Sequence, residues 1–316
     1  MKNDLKIVFM GTPNFAVASL KALIDADYNI VGIITAPDKP AGRGRKLNES
    51  AVKQYAKSIG LNILQPSNLK SEIFIKELES LKANLHIVVA FRMLPKVVWQ
   101  MPEYGTFNLH ASLLPNYRGA APINWAIING ETKTGVSTFF IDEKIDTGAM
   151  IFQQEVEILT NETAGKLHDK LMLIGSVLVL KTTKNIEQGK VKTTQQSENS
   201  TIELAQKLTK ENCFIDWNDK PSNIYNLVRG LNPYPAAWCL LKNKNEELNV
   251  KIYDVQISLQ KHNLEIGKIL STKNEVKVVV RKGFIKLIEI KMPGKRRMDI
   301  KSLLNGYHFD EDAKML

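Results

Sequence analysis

The sequence predicts an α/β domain with a mostly parallel sheet covered by helices on both faces, followed by a small β-domain of barrel or sandwich type. The chain has 316 residues, which fits two domains at roughly 100 to 200 residues each. Strand-like and helix-like segments alternate through its first part, as in parallel α/β sheets. Its last third contains short segments rich in Val and Ile, which are typical of small barrels and sandwiches.

The alternation defines the first domain element by element. Apolar runs at residues 6–10 and 29–35 predict strands, with a helix at 16–26 between them. Further strands are predicted at 84–90 and 106–110. Because ligands bind at the carboxyl ends of the strands in such sheets, we expect the functional residues there.

A long helix closes the first domain. Apolar residues recur at Leu167, Leu171 and Leu178 with helical spacing, which predicts a helix over residues 163–186. Residues 189–200 are polar and rich in Thr, Gln and Ser, without an apolar face, which is typical of a linker.

The second domain begins with a predicted short helix at 202–208 and continues as strands. Strands are predicted at 250–255, 275–280 and 283–290. We therefore predict three parts: an N-terminal domain at 1–188, a linker at 189–205 and a C-terminal domain at 206–316.

The positive charge of the chain is concentrated in its second domain. The net charge is +10, and residues 206–316 contribute +7 of it, with 20 Lys and Arg against 13 Asp and Glu. Such an excess predicts an anionic partner.

Composition excludes several classes of protein. Hydrophobic residues make up 44% and charged residues 24%, close to soluble globular proteins, and the longest apolar runs, such as residues 87–91, are far too short for a bilayer span. Residues 5–10 are followed at once by Gly-Thr-Pro, which indicates a first strand and not a signal peptide. With only Cys213 and Cys239, we expect neither a disulfide framework nor a metal site. The prediction is a cytoplasmic protein.

Asn108 and His110 are the strongest candidates for chemistry. They lie two residues apart at the end of a predicted strand, so their side chains point to the same face. An acyl transfer needs a hydrogen-bond donor for the oxyanion and a group that can move a proton near neutral pH. This pair supplies both, although an isolated Asn-x-His also occurs as a strand cap and a turn residue.

Neighbouring residues favour the chemical interpretation. An apolar wall at Leu113, Leu114 and Pro115 lies beside the polar pair in sequence, and the loop Tyr117-Arg118-Gly119 follows it. Asp146 follows the predicted strand at 136–141. A carboxylate beside an imidazole would stabilise the charged ring and fix its orientation.

With these motifs the chain resembles the folate-dependent formyltransferases over nearly its whole length, and among them it resembles the methionyl-tRNA formyltransferase family. The Asn-x-His and Asp-Thr-Gly pieces are shared by all folate-dependent formyltransferases, whereas the Gly-Thr-Pro turn and the Arg-Gly-Arg loop are more specific. The matching segments are residues 9–13, 37–47, 108–125, 146–148, 215–217 and 232–238.

The resemblance implies both fold and chemistry. It implies a Rossmann-like formyltransferase domain followed by an OB-like β-barrel, with 10-formyltetrahydrofolate as the formyl donor and the amino group of methionyl initiator tRNA as the acceptor. By position, it assigns Asn108, His110 and Asp146 to catalysis. It assigns binding of the folate to Ser112, Leu113, Leu114 and Pro115.

One segment departs from the family pattern. Residues 90–95 are one residue shorter than the corresponding loop of the family and lack its glycine, although pterin recognition in the family uses this loop's backbone. We expect Arg92 in this loop to face solvent.

Two basic segments are candidates for binding tRNA. The loop at 37–47 has no apolar periodicity, and a second cluster surrounds Met292-Pro293-Gly294. Either segment alone could be a solvated surface, but the resemblance favours contacts with phosphates. The candidate residues are Lys39, Arg43, Arg45, Lys46, Lys291, Lys295, Arg296 and Arg297.

Other functions remain to be compared with this one. A formyltransferase acting on a small amine, such as a ribonucleotide or an amino sugar, would need the same trio but no basic second domain. A non-catalytic nucleic-acid-binding protein would not need an intact trio. A dehydrogenase is excluded because Gly11-Thr12-Pro13 stands where a dinucleotide site needs Gly-x-Gly-x-x-Gly. We expect a monomer with no membrane partner.

Overall fold

The computed structural model describes residues 4–41, 46–197 and 202–316. The chain forms two compact units. The first comprises residues 1–119, 134–156 and 168–204, and the second comprises 120–133, 157–167 and 205–316. The second unit therefore contains two segments from earlier in the chain in addition to the C-terminal residues.

The N-terminal part of the chain alternates strands and helices. In chain order its elements are β1 (Lys6–Gly11), α1 (Asn14–Asp25), β2 (Asn29–Ile34), β3 (Lys39–Ala41), β4 (Lys46–Asn48), α2 (Ala51–Ser58), β5 (Ile63–Leu64), α3 (Glu72–Ser80), β6 (Leu85–Val89), α4 (Lys96–Trp99), β7 (Thr106–His110), β8 (Arg118–Gly119), α5 (Pro122–Ile128), β9 (Lys133–Phe140), β10 (Met150–Glu157) and α6 (Ala164–Glu187).

The sheet of the first unit has the order β10-β9-β7-β6-β1-β2-β5. The five strands from β5 through β2, β1 and β6 to β7 run parallel to one another, and β9 is antiparallel to β7. All five residues of β6 are buried, as expected for a strand covered on both faces. The predicted α/β fold with a mostly parallel sheet is confirmed.

The register of this sheet brings three strand ends together. Gly11 of β1 pairs with Val89 of β6, and Val89 pairs with Leu109 of β7. A Cβ atom on Gly11 would lie 2.6 Å from the Cβ of Ala16 and 3.0 Å from the carbonyl oxygen of Val89, so only glycine fits at this strand end. His110, the last residue of β7, therefore lies at the carboxyl edge of the sheet, where ligands bind in folds of this type.

The C-terminal part of the chain is mainly antiparallel. Its elements are β11 (Leu204–Ala205), α7 (Pro221–Gly230), β12 (Ala237–Asn243), β13 (Glu246–Leu259), β14 (Ile269–Ser271), β15 (Val276–Val280), β16 (Gly283–Lys291), β17 (Met298–Asp299), α8 (Ile300–Leu304) and β18 (Lys314–Met315).

The second unit contains the predicted barrel. Its strands follow the order β14-β15-β16-β13-β12-β18. Hydrogen bonds from Ile269 N to Ala313 O at 3.0 Å and from Met315 N to Gly267 O at 2.8 Å join the two ends of this order. The interior is apolar, with Val250, Ile252 and Ile285 fully buried.

The predicted helix at 202–208 is wrong. Leu204–Ala205 forms a strand that pairs with Arg118–Gly119, and Ala120 donates its backbone N–H to Ala205 O at 2.7 Å. The local sequence favours a helix, but pairing with a distant segment satisfies the backbone instead, which illustrates how tertiary contacts override propensity.

The polar segment before this strand is packed in places. Thr194 exchanges backbone hydrogen bonds with Met150, and Gln196 is only 9% exposed. Within the described ranges, 4–41, 46–197 and 202–316, none of the helices has the length and apolar character needed to cross a bilayer.

Candidate active site

Strand β7 presents Asn108 and His110 on one face of the sheet. Their neighbour Leu109 faces the other way, because a Cβ atom on Gly175 of α6 would lie 2.8 Å from a Leu109 methyl group. Strand alternation then places the side chains of Asn108 and His110 together on the opposite face. The sequence-based expectation that these two residues share a face is confirmed.

The His110 ring is held by one hydrogen bond to the backbone. Its Nε2 atom lies 2.8 Å from Tyr117 O, and because a carbonyl oxygen can only accept, Nε2 carries a hydrogen and donates. The side chain is 7% exposed. The other ring nitrogen, Nδ1, is therefore the atom through which His110 can gain or lose a proton.

Asp146 lies on the Nδ1 side of this ring. Its Oδ2 atom is 3.8 Å from His110 Nδ1 and accepts a hydrogen bond from the backbone N–H of Gly119 at 3.0 Å. The structure thus brings together all three residues that the sequence predicted for catalysis, although only two of them come from one strand.

Both residues that flank the His110 ring have an unusual backbone. Tyr117 has φ of 60° and Asp146 has φ of 56°, a left-handed conformation that costs free energy for residues other than glycine. Such residues persist only where the surrounding structure holds them, and they concentrate at functional sites.

Asn108 presents an unused amide to the same face. Its side chain is half-buried, and the residues that the structure describes provide no hydrogen-bond partner for it. An amide N–H in this position can donate to an oxygen of a bound molecule.

The predicted folate-binding segment is tightly braced. Ser112 donates its hydroxyl hydrogen to Asn116 O at 2.7 Å, and Ser137 donates to Ser112 O at 2.6 Å. Ser112 and Leu114 are buried, whereas Leu113 and Pro115 are half-exposed. The first two therefore shape the segment, and the last two have side-chain surface available for contact.

Sequence reasoning missed two glutamines that brace the site. Gln153 donates to Leu114 O at 2.8 Å and to the Ser137 hydroxyl at 3.0 Å, and Gln196 donates to Asp146 O at 3.0 Å. The only available signal was a glutamine in a strand and another in a polar segment, and neither pattern indicates a role.

The expectation that Arg92 faces solvent is wrong. Its guanidinium donates to Ser67 O at 2.9 Å and also to Pro66 O. Its charge lies 5.6 Å from the centre of the Phe91 ring. Arg92 therefore fixes the loop after β6 to the backbone of residues 66–67.

The first basic segment is only partly described. Lys39 is exposed at the start of β3, which pairs with β4 in an antiparallel hairpin. Arg43 and Arg45 lie outside the described residues, as does the side chain of Lys46.

The second basic segment is exposed, with one residue engaged in the barrel. Lys291, Lys295 and Arg296 are exposed. Arg297 instead forms a two-pronged ion pair with Glu289, which raises the pKa of Arg297, and lies 4.3 Å from the centre of the Tyr253 ring. Arg297 is thus less free than its neighbours to meet another anion.

Two family profiles match this chain. The first, described as "Formyl transferase", covers residues 5–183, and the second, "Formyl transferase, C-terminal domain", covers residues 207–308.

Two relatives that match nearly the whole chain share one name. The chain is similar to the methionyl-tRNA formyltransferase of Flavobacterium johnsoniae, with 60% identity over 98% of this chain and 99% of the relative. It is also similar to the methionyl-tRNA formyltransferase of Bacteroides fragilis, with 50% identity over 99% of this chain and 98% of the relative.

Solved structures agree on the fold. WlaRD, a sugar 3N-formyl transferase determined in the presence of dTDP and 5-N-formyl-THF, has a TM-score of 0.65 and 20% identity, over 93% of this chain and 100% of that one. HypX from Aquifex aeolicus in complex with tetrahydrofolic acid has a TM-score of 0.62 and 18% identity, over 96% of this chain and 47% of that one. At these identities the likeness concerns the fold alone.

Proposed function

This chain belongs to the formyl transferase family, and we propose that it transfers the formyl group of 10-formyltetrahydrofolate to the amino group of methionyl initiator tRNA. The observation that carries this proposal is the 60% identity to a methionyl-tRNA formyltransferase across 98% of the chain. That relationship includes the basic barrel domain as well as the catalytic domain, so it concerns the acceptor as well as the chemistry.

The reaction begins when the methionyl amine, as the free base, attacks the formyl carbon of the folate. A new C–N bond forms and the carbonyl electrons move to oxygen, which gives a tetrahedral intermediate. The bond from carbon to N10 of the folate then breaks, N10 takes up a proton and the acceptor nitrogen loses one. The protein must therefore stabilise one oxyanion and move one proton.

Asn108 and His110 are suited to hold that oxyanion. The side-chain amide of Asn108 faces the same side as the His110 ring, and His110 presents Nδ1 because its Nε2 atom donates to Tyr117 O at 2.8 Å. When Nδ1 is protonated, both residues can donate to the same oxygen. Fixed donors of this kind are among the largest contributions to acyl-transfer catalysis.

Asp146 supports the protonated ring and accepts the proton that the amine releases. Its carboxylate lies 3.8 Å from His110 Nδ1, close enough to attract positive charge on the ring. Gly119 N donates to the same carboxylate oxygen at 3.0 Å and keeps it on this side of the ring.

The predicted folate-binding segment contributes shape, and not charge, to the site. Ser112, Leu113, Leu114 and Pro115 form a braced turn beside His110, and Leu113 and Pro115 have half-exposed side chains. Apolar walls with a few oriented polar groups are typical of sites for flat aromatic ligands such as a pterin.

The acceptor is recognised through charge. Residues 206–316 have a net charge of +7, and Lys291, Lys295 and Arg296 are exposed on this domain. Lysines and arginines that neutralise phosphates provide most of the sequence-independent affinity for nucleic acids. We assign Lys39, Arg43, Arg45, Lys46 and Arg297 to the same role. We further propose that the enzyme acts as a monomer in the cytoplasm, where charged initiator tRNA is used.

One competition experiment tests this function. Formyl-labelled 10-formyltetrahydrofolate is offered with methionyl initiator tRNA, methionyl elongator tRNA and a panel of small amines that includes an amino sugar nucleotide and an aminoribonucleotide. We expect label on methionyl initiator tRNA. Label on a small amine alone would replace the proposal with a small-molecule formyltransferase, and no label on any acceptor would leave a binding protein without this activity.

A further inference from the structure

Both the oxygen and the nitrogen of the Gln196 side-chain amide form hydrogen bonds within the first compact unit. The oxygen accepts hydrogen bonds from Arg118 Nη2 at 2.7 Å and from Arg118 Nε at 3.2 Å. The nitrogen donates to Asp146 O at 3.0 Å and to Gly148 O at 2.8 Å. The residue is 9% exposed, although it lies in a segment whose sequence is typical of a linker.

The turn that Gln196 contacts cannot hold its shape by backbone preference alone. Asp146 has φ of 56°, a conformation that is strained for a residue other than glycine and persists only where other contacts enforce it. Gly148, at the other end of the turn, lies so close to β9 that a Cβ atom there would be 1.7 Å from Phe140 O. Gln196 binds the carbonyl oxygens of these two residues and therefore spans the turn.

We propose that Gln196 is a positioning residue for formyl transfer, whose amide holds the Asp146–Gly148 turn so that the Asp146 carboxylate stays against His110. This inference rests on the proposed function, because it concerns the same site. In this role Gln196 acts through Asp146 and not on the reacting atoms.

A second contact from the same part of the chain reaches the other partner of His110. Tyr117 donates its backbone N–H to Glu203 O at 2.6 Å, and Tyr117 O accepts the hydrogen bond from His110. Of the two left-handed residues beside the ring, Tyr117 thus donates a hydrogen bond to Glu203 and Asp146 accepts one from Gln196. The described residues of the predicted linker consequently form part of the support of the active site.

The geometry explains why a small displacement matters. Asp146 Oδ2 lies 3.8 Å from His110 Nδ1, which is already near the limit for an ion pair, so any outward movement of the turn weakens it. A shift of about 1 Å in a catalytic group can cost about a hundredfold in rate. Loss of the amide should therefore lower the rate of the chemical step and leave substrate binding intact.

The test replaces the amide and keeps the volume. Gln196→Met removes all four hydrogen bonds, and Gln195→Met changes the exposed neighbouring glutamine as a matched control. In single-turnover reactions with 10-formyltetrahydrofolate and methionyl initiator tRNA, we expect Q196M to lower the rate roughly 10- to 100-fold, with dissociation constants for both substrates within about twofold of wild type. Q195M should match wild type.

A double-mutant cycle separates positioning from general structural support. If Gln196 acts through Asp146, Q196M should reduce the rate less than about twofold in an Asp146→Asn background, because interacting residues give non-additive effects. Equal losses in the two backgrounds would overturn the proposal, as would a wild-type rate for Q196M.

If Q196M does not fold, Gln196→Glu provides the same test with the acceptor for Arg118 preserved. The glutamate cannot donate to Asp146 O or Gly148 O, so we expect the rate loss to remain. A wild-type rate for Q196E would show that the bonds to the turn are irrelevant. If the wild-type enzyme itself formylates no tRNA, the proposed function fails, and slow hydrolysis of formyl-folate by the same variants still measures the role of Gln196.

Discussion

The carboxylate of Asp146 lies 3.8 Å from Nδ1 of His110 and is kept there from its other side, where it accepts a hydrogen bond from Gly119 N. The distance to the ring is too long for a good hydrogen bond but short enough for electrostatic attraction to a protonated imidazole. Asp146 is therefore suited to act through its charge, and its charge can be removed without changing its shape.

Asp146→Asn should lower the rate of formyl transfer roughly a hundredfold, because it removes the negative charge beside the His110 ring and the base for the amine proton. The side-chain oxygen of the asparagine can still accept from Gly119 N, so the turn should persist. Single-turnover rates measure the effect, and the thermal midpoint serves as the control. An unchanged rate would make Asp146 a structural turn residue.

Asn108→Ala and His110→Ala should each reduce the chemical step by about a hundredfold to a thousandfold, since each removes one oxyanion donor. The affinity for tRNA should be nearly unchanged because neither residue lies in a predicted tRNA-binding segment. The measurement is single-turnover formylation alongside equilibrium binding of the tRNA. A near-normal rate for either variant would remove that residue from the mechanism.

Neutralising Lys291 and Arg296 together should reduce the salt dependence of tRNA binding. Each lost phosphate contact on a duplex lowers the slope of log affinity against log salt by about 0.9. Lys273, which is also exposed on the barrel domain, provides the control when it is changed to Gln. Equal slopes for the double variant and wild type would identify the cluster as a solvated surface. Arg297 is unsuitable for this test because it pairs with Glu289, and its loss would also affect the barrel.

Removing the charges of Arg43 and Arg45 should impair tRNA formylation selectively. The two arginines can hold an acceptor stem through charge-assisted contacts, which must offset the conformational entropy that is lost on binding. The slow hydrolysis of formyl-folate without tRNA should continue at its wild-type rate. Both activities are measured on one preparation of the double variant. A parallel loss of both would indicate damage to the folate site instead.

His86 should make the first unit sensitive to acid. It is fully buried on β6, and burial lowers the pKa of His86 to about 4, against a smaller opposing effect from the backbone of Val98. Between about pH 6.5 and the folded-state value, the unfolded chain binds more protons, so the free energy of unfolding should fall as the pH falls through this window, by up to about 3 kcal/mol.

His86→Leu should flatten that part of the stability profile, as measured by denaturant unfolding at a series of pH values. His308→Gln changes an exposed histidine and should leave the profile as in wild type. A profile for His86→Leu that follows wild type between pH 4 and 6.5 would mean that other groups cause the loss.

Strong local patterns made much of the fold predictable. The strand at 106–110 was predicted with the bounds that the structure has, Thr106–His110, because a buried strand with polar ends contrasts sharply with its flanks. The helix predicted at 163–186 is Ala164–Glu187, since its apolar spacing extends over many turns. Family membership is confirmed by the two matching family profiles, and the α/β-plus-barrel fold is confirmed by the order of strands in the two large sheets.

What could not be predicted depends on contacts between distant residues. The helix predicted at 202–208 is instead extended, because Leu204–Ala205 pairs with Arg118–Gly119. Nothing in a polar segment distinguishes Gln196, which bonds to residues about 50 positions away, from its exposed neighbour Gln195. The individual tRNA-binding and folate-binding residues stay predictions, and the experiments above test them.

The hydrogen bond from His110 Nε2 to Tyr117 O also determines how the ring can be used in repeated turnovers. Rotating the imidazole by half a turn about its Cβ–Cγ bond would place the carbon Cε1 at the carbonyl, and moving the hydrogen from Nε2 to Nδ1 would also leave the carbonyl without a donor. A buried carbonyl left without a donor costs about 1 to 3 kcal/mol, so the ring keeps one tautomer. Any proton exchange at the ring is therefore confined to Nδ1, the nitrogen that faces Asp146, and His110 needs no movement of its side chain between turnovers.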